Sequence, residues 1–237
     1  MPIPQTAHVV AGALGLISGF MALWATKGGI VHRRCGRIFV YSVVAMTLTG
    51  SVLAIVRDAA PGANVPVGVL TAYLALTSLT TMRPPSIGAR PLDMSMLLVA
   101  VTVSGTLLAF GISVLSSPTR TLYGISAYPF LIFSAIGTIA TLGDLRLILL
   151  GGVGTVLGAR RLARHLWRMC TALLISAFVF VVRQPNRIPG PIGIVPLLAI
   201  LPPVVLVVMS YWLWRVRGRD IRTIPWVRLS HVFGSPS

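Results

Sequence analysis

Six long stretches of this chain contain no Asp, Glu, Lys or Arg. They cover residues 1–26, 38–56, 59–82, 94–119, 121–143 and 188–214. A helix needs about 20 predominantly apolar residues to cross the hydrocarbon core of a bilayer. Because every stretch approaches or exceeds that length, the sequence predicts membrane-spanning helices rather than the core of a soluble domain.

A seventh span is predicted at Met169–Val182, which lies between Arg168 and Arg183. Arginine side chains can reach toward the headgroups, which extends this span to about Arg164–Arg183. The predicted fold is therefore an all-α polytopic transmembrane bundle of seven spans within residues 1–216, followed by a basic cytoplasmic tail at 217–237. The spans are placed at about 7–26, 38–57, 64–82, 93–115, 122–143, 164–183 and 191–214. The glycine-rich segment 147–159 is expected to be a loop or to lie on the surface.

The basic residues indicate the orientation of these spans. Lys and Arg number twenty against four Asp and no Glu, which gives a formal net charge of +16. With the N-terminus outside, four of the twenty fall outside (Arg57, Arg120, Arg183 and Arg187) and sixteen fall in the cytoplasm. Cytoplasmic loops of membrane proteins carry the excess of Lys and Arg. The sequence therefore predicts an external N-terminus and a cytoplasmic C-terminus.

Composition also excludes several functions. Charged residues make up 10% of the chain and hydrophobic residues 55%, whereas a soluble domain carries about 25% charged residues. Nucleic acid is therefore not an expected partner, and the basic face is expected to contact anionic phospholipids at the cytoplasmic side. The scarcity of carboxylates disfavours hydrolases that use a carboxylate pair. Whether the chain is an enzyme of another kind stays open.

Two histidines form the most specific candidate site. His32 and His165 open spans two and six on the same predicted side of the membrane, so they can meet. Two neutral imidazoles are the axial ligands that a b-type haem needs. If the histidines do not bind haem, the sequence does not indicate a cofactor. The nearby arginines suited to binding haem propionates are Arg33, Arg37, Arg161 and Arg168. Arg161, His165 and Arg168 share one helical face.

Two alternatives to haem stay open at this site. His32 adjoins Arg33 at the level of the headgroups, so the histidines can instead cap helix ends. Cys35 and Cys170 would complete a zinc site, but the five-residue spacing from His165 to Cys170 rotates the two side chains apart by about 140°. No metal site is therefore predicted.

A second set of candidate polar residues consists of His8, Asp144, Arg164 and Gln184. Asp144 is expected at the cytoplasmic end of span five, where the helix dipole disfavours an anion. It is therefore expected to pair with Arg146 or with the group Arg160, Arg161 and Arg164. His8 and Gln184 are expected on the outer side. No span carries a charge near its middle, which weighs against ion-coupled transport.

Several motifs resemble those of the domain-of-unknown-function 2306 family of bacterial predicted multi-span membrane proteins. The first motifs are His8, Gly15-x-x-x-Gly19, Lys27-Gly28-Gly29 and His32-Arg33-x-x-Gly36-Arg37. The later ones are Gly143-Asp144-x-Arg146, Arg164-His165-Leu166-Trp167-Arg168-Met169 and Tyr211-Trp212-Leu213-Trp214-Arg215. This resemblance implies a location in the bacterial inner (plasma) membrane but no activity. A fainter similarity to cytochrome b561-like proteins implies haem. The Gly15 and Gly19 pair by itself predicts close helix packing.

Three functions are consistent with these patterns. The favoured one is a membrane-embedded, non-hydrolytic binding protein with a basic cytoplasmic-side site. The most specific form of this hypothesis is electron transfer by a b-type haem. The alternative is a small-molecule or lipid transporter, or a lipid-handling protein, without a redox cofactor, in which the same arginines hold phosphate groups. The third is a purely structural or assembly role.

Overall fold

The computed structural model describes residues 3–82, 89–151, 158–183 and 198–218. Seven helices occupy these ranges: α1 Ile3–Trp24, α2 Ile30–Val56, α3 Pro61–Thr81, α4 Ala89–Ser116, α5 Ala127–Leu149, α6 Gly158–Arg183 and α7 Leu201–Gly218. The remaining described residues form turns, with one isolated antiparallel bridge between Leu122 and Ile125. The all-helical prediction is confirmed.

Six of the helices, α1 to α6, are long and apolar enough to cross a membrane. By length and composition, this finding confirms the prediction of a multi-pass membrane protein. The seventh helix, α7, has 18 residues and covers only the second half of the predicted span 191–214, whose first residues lie outside the described ranges. Pro202 and Pro203 lie in its first turn, where a missing backbone N–H breaks no helical hydrogen bond.

Helix α3 is the centre of the bundle. It packs against α2, α4, α5 and α6, while α1 pairs with α2, α4 with α5 and α6 with α7. Leu70, Leu74 and Ala75 of α3 are completely buried. A helix surrounded in this way turns several faces toward other helices, so its hydroxyl side chains meet protein rather than lipid.

The helix ends gather in two groups. At one of them, Lys27 of the α1–α2 turn lies 5.6 Å from the ring of Trp212 near the end of α7. At the other, Arg57 donates a hydrogen bond of 3.0 Å to Gln5. We call the first group the basic end. It comprises the helix termini Trp24, Ile30, Thr81, Ala89, Leu149, Gly158 and Gly218.

Helices α5 and α6 extend beyond the spans expected from the sequence. Helix α5 continues through Asp144 to Leu149, and α6 begins at Gly158 rather than near 164. Of the predicted loop, Leu150 and Gly151 form a turn, whereas residues 152–157 lie outside the described ranges. Charged residues ended the predicted spans, but a charge that is paired within the protein does not end a helix. Asp144 therefore lies inside a helix rather than at its end.

The Gly15-x-x-x-Gly19 pair lies where α1 packs against its neighbours. A Cβ atom at Gly19 would lie 2.7 Å from Leu173 Cδ1 of α6 and 2.9 Å from Phe39 Cδ2 of α2. A Cβ atom at Gly15 would lie at an ordinary 3.6 Å from Ser42 Cβ. The close approach expected from this motif is thus present, and it is tightest at Gly19.

Candidate functional site

Asp144 is the centre of a buried ionic cluster. It is 3% exposed. Its Oδ1 atom accepts hydrogen bonds from Arg164 Nη2 at 2.8 Å and from Arg168 Nη2 at 2.5 Å. Its Oδ2 atom accepts from the Tyr73 hydroxyl at 2.5 Å and from Arg168 Nη1 at 3.2 Å. A carboxylate offers about four lone-pair sites, so Asp144 has no acceptor capacity left.

Arg168 is held on every side by protein groups. It is 1% exposed, and its Nη atoms also donate to Thr77 Oγ1 at 2.6 Å and to the Ala140 carbonyl at 3.1 Å. The guanidinium carbon lies 5.3 Å from the centre of the Tyr73 ring and 5.4 Å from that of Trp167. Its Nε–H has no hydrogen-bond partner. The guanidinium is therefore fixed in place but keeps one unused donor.

Arg164 completes the cluster at the next turn of α6. It is 8% exposed and donates to the Thr77 carbonyl at 3.3 Å and to the Thr81 hydroxyl. Its Nε–H is also buried without a partner. We call Asp144, Arg164 and Arg168, together with Tyr73, the Asp144 cluster.

Helical spacing explains why these side chains meet. Tyr73, Thr77 and Thr81 are spaced four residues apart, so they form one stripe along α3. On α6, Arg161, Arg164, His165 and Arg168 form the facing stripe. Arg161 Nε donates to the Thr81 carbonyl at 2.7 Å, one turn closer to the basic end than Arg164. These two facing stripes, together with Asp144 of α5, therefore assemble the cluster from regular helices.

The charge of the Asp144 cluster is not balanced within it. Two guanidinium groups face one carboxylate, and the Tyr73 hydroxyl is neutral, so the cluster carries a net charge of +1. Removing charges from water costs several kcal/mol for each ion, and pairing offsets this cost only when the geometry is good. An excess cation between membrane helices is thus an expensive feature.

A narrow cleft opens against the cluster between α3, α4, α5 and α6. It has room for about one water molecule. Arg164 and Asp144 form one wall, and the other lining residues are Thr77, Thr80, Leu92, Asp93, Met96 and Ile148. The cluster is therefore adjacent to a space about the size of one water molecule.

The two histidines predicted to meet do lie together. The His32 and His165 ring centres are 6.4 Å apart, with the planes inclined by 74°. His32 Nδ1 is 2.9 Å from the Ala22 carbonyl, and His165 Nδ1 is 3.1 Å from the Ser78 carbonyl. A ring nitrogen that bonds a carbonyl carries the proton, so each Nε2 is left with a lone pair. We call these two residues the histidine pair.

The other residues predicted for the haem site do not surround the histidine pair as one group. Arg168 belongs to the Asp144 cluster, and Arg161 bonds α3. Arg33 is exposed and donates to the Gly28 carbonyl at 2.7 Å. Arg37 is also exposed, on α2. The pair was predictable because both histidines fall at the same end of their predicted spans, whereas the positions of Arg161 and Arg168 depend on their contacts with α3.

The second predicted set is divided between the two ends of the bundle. Asp144 and Arg164 are brought together, and Arg168, rather than Arg146, is the second partner of Asp144. His8 Nδ1 is 2.9 Å from the Met46 carbonyl, toward the opposite end. Gln184 lies outside the described residues. The sequence reading missed Tyr73, Thr77 and Thr81, and only their four-residue spacing could have indicated them.

Lys27 approaches the histidine pair at the Ala22 carbonyl, which His32 Nδ1 also contacts. Lys27 Nζ donates to the Ala22 and Leu23 carbonyls at the end of α1, and burial lowers the pKa of this lysine. Cys35 and Cys170 are buried free thiols. In the parts of the chain that the structure describes, no three His, Cys, Asp or Glu side chains lie close enough to hold a metal ion.

The basic end therefore contains two candidate sites, the Asp144 cluster with its cleft and the histidine pair. They share helix α6, and both bond α3 through neighbouring residues, Thr77 and Ser78. Their chemistry must be inferred from this geometry, since no protein-family model, curated protein or solved structure matches the chain.

Proposed function

We propose that this chain is a bacterial inner-membrane protein that binds, and by alternating access transports, a small polar solute at the Asp144 cluster. It crosses the membrane seven times, with the N-terminus outside and the basic end in the cytoplasm. The sixteen-to-four division of Lys and Arg between the two sides supports this orientation. On the basis of its motif resemblance, we also propose that the chain belongs to the domain-of-unknown-function 2306 family.

One observation carries this function: three charged side chains are buried among membrane helices beside a cleft. Ionisable residues within membrane spans are rare and mark substrate or ion pathways. Apolar residues of similar volume can replace a buried ion cluster without loss of stability, so stability alone is weak grounds for its presence. A solute site gives the cluster a role that packing does not.

The exposed arginines have a separate part in the proposal. Arg33, Arg34 and Arg37 are exposed at the start of α2, where they would face the anionic phospholipids of the cytoplasmic leaflet. Each such charge contributes about 1 kcal/mol of attraction to an anionic surface. These residues hold the protein at the lipid surface, whereas the Asp144 cluster binds the solute.

Cysteine labelling tests both the cleft and the orientation. In a Thr80→Cys variant, the new thiol lies in the cleft lining. We expect a membrane-impermeant thiol reagent to label it in inside-out vesicles and not in right-side-out vesicles. The natural thiols of Cys35 and Cys170 are buried, so the unmodified protein measures the background.

A matched control for this experiment is Thr102→Cys, because Thr102 is exposed on the lipid-facing side of α4 and is expected to stay unlabelled from either side. Labelling of Thr80→Cys from the outside would reverse the proposed orientation. Absence of labelling from both sides would contradict an aqueous cleft and with it the proposed function.

A second candidate function, b-type haem electron transfer, is favoured by the histidine pair. Both Nδ1 atoms bond backbone carbonyls, the arrangement that directs the other nitrogen of a histidine to a metal. Lys27 and Arg33 act electrostatically on His32, and Arg161 on His165. This positive field repels a bare dication but attracts a haem, whose two propionates are negative.

The haem candidate has a direct optical test. After expression with haem supplied, it predicts a Soret band in both redox states that disappears when His32→Ala and His165→Ala are combined. The His8→Ala variant should keep the band, since His8 bonds Met46 at a distance from the pair. A protein without the band is not a haem protein, and a band that survives the double substitution has other ligands.

A further inference from the structure

Trp212, near the end of α7, lies within cation–π distance of two positive charges. Lys27 Nζ is 5.6 Å from the centre of its ring, and the guanidinium carbon of Arg215 is 5.3 Å from it. Lys27 belongs to the turn between α1 and α2, so the two cations come from distant parts of the chain. The face of an indole attracts a cation but carries no net charge. The ring therefore gathers two positive charges without neutralising them.

The hydrogen-bond partners of these two cations do not neutralise them either. Lys27 Nζ donates to two backbone carbonyls at the end of α1, and Arg215 Nη1 donates to the Tyr211 hydroxyl at 2.9 Å. These acceptors are uncharged. Both ion pairs within the described ranges use Asp144, which belongs to the Asp144 cluster. Lys27 and Arg215 thus keep two positive charges that no acidic side chain of those ranges neutralises.

Exposed tryptophans place this cation pair at the depth of the lipid headgroups. Trp24 at the end of α1 is 70% exposed, and Trp214 of α7 is 69% exposed. Trp side chains of membrane proteins collect at the interface between the hydrocarbon core and water. Lys27 follows Trp24 by one helical turn of sequence, and Arg215 follows Trp214 directly. The abundant anion at this depth is the phosphate of an anionic phospholipid.

Exposed apolar stripes on α1 and α7 lead toward the same place. Each helix exposes three large residues at positions i, i+4 and i+7, which share one helix face. They are Ile17, Met21 and Trp24 on α1, and Val207, Tyr211 and Trp214 on α7. Both helices end at the basic end. Acyl chains that lie along these stripes would therefore bring a phosphate to the level of the two cations.

From these observations we infer that Lys27, Trp212 and Arg215 form a binding site for one anionic glycerophospholipid. Its phosphate accepts from Lys27 Nζ and from a guanidinium N–H of Arg215. The Tyr211 hydroxyl accepts from Arg215, so its own hydrogen is available to the same phosphate. The site is independent of the Asp144 cluster. It also differs from the general attraction of the exposed arginines of α2, because it holds a single lipid between the α1–α2 turn and α7.

Lipid titration of the purified full chain in detergent, followed by native mass spectrometry, tests this inference. The probe is dioleoyl phosphatidylglycerol, and dioleoyl phosphatidylcholine is the comparison with the same acyl chains and no net charge. We expect one phosphatidylglycerol to bind about thirtyfold more tightly than phosphatidylcholine, since two basic residues face its charge. Combining Lys27→Gln with Arg215→Gln should remove this preference.

The matched control combines Arg146→Gln with Arg160→Gln, which removes the same charge from exposed positions at the basic end. This control should keep the preference for phosphatidylglycerol. If the variant with both Lys27→Gln and Arg215→Gln does not fold, each single substitution replaces it and should weaken phosphatidylglycerol binding by about fivefold.

Glycerol 3-phosphate distinguishes a lipid from a soluble phosphate, because it carries the phosphate without acyl chains. It should not displace phosphatidylglycerol at the same concentration, and displacement would overturn the assignment to a lipid. Equal binding of the two lipids by the unmodified protein overturns the inference. So does an equal loss of preference in the Arg146 and Arg160 control, because the effect would then follow net charge rather than this site.

Discussion

Replacing Asp144 with Asn is expected to destabilise the protein by about 3–5 kcal/mol, because the change leaves two buried guanidinium groups without a counter-charge. Asn keeps the shape of the side chain but places an NH₂ donor opposite the donors of Arg164 and Arg168. The measurement is the free energy of unfolding in mixed detergent and SDS micelles, followed by circular dichroism.

Two further variants make this result specific. Asp58→Asn removes a carboxylate from an exposed turn whose φ of 48° Asn tolerates, so it should change stability by less than about 0.5 kcal/mol. The triple variant with Leu at Asp144 and Met at Arg164 and Arg168 should be more stable than Asp144→Asn alone, since it leaves no unpaired charge. If the Asp144→Asn variant is as stable as the unmodified protein, the carboxylate does not neutralise the two arginines.

Replacing Gly19 with Ala is expected to cost about 1–3 kcal/mol, the range for overpacking a close-packed interface. The added Cβ would lie closer than 3 Å to both Leu173 and Phe39, and these side chains are 3% and 1% exposed, so neither has free space to move into. The same unfolding measurement applies, with cross-linking between α1 and α2 as a second measure of their separation.

Gly36→Ala is the matched control for the Gly19 variant. Gly36 also lies within a helix, but a Cβ there meets nothing within 4 Å. Alanine should therefore leave stability unchanged or raise it by up to about 1 kcal/mol, because it is the better helix former. If both substitutions have the same effect, helix propensity rather than packing determines the role of Gly19.

The spans were predictable because the bilayer imposes one strong rule, the absence of charge over a span. All seven predicted spans overlap helices, and six of these helices meet the length and composition needed to cross a membrane. The same rule misplaced the ends of predicted spans five and six that lie at the basic end. It treats every charge as a boundary, whereas Asp144 is paired with Arg164 and Arg168 inside the bundle.

The candidate site was predictable only in part. The histidine pair follows from two residues that open predicted spans at one end, and Asp144 with Arg164 follows from charge alone. Tyr73, Thr77 and Thr81 carry no charge and lie in a helix rich in hydroxyls, so their role depends on which helix they face. That is decided by the packing of α3 against α6, a contact between helices distant in sequence.

Helix α6 bonds α3 over much of the half of its length that lies toward the basic end. Arg161, Arg164, His165 and Arg168 bond groups at Thr81, Ser78 and Thr77. Sliding or rotating one of these helices along the other would break the polar contacts of all four α6 residues at once, and each buried polar group left without a partner costs about 1–3 kcal/mol. Any conformational cycle must therefore carry α3 and α6 as one rigid body. The α4–α5 hairpin is bonded to the same body through Asp144. The mobile part is then the α1–α2 hairpin, whose Gly19 packs against the apolar side chain of Leu173 in α6.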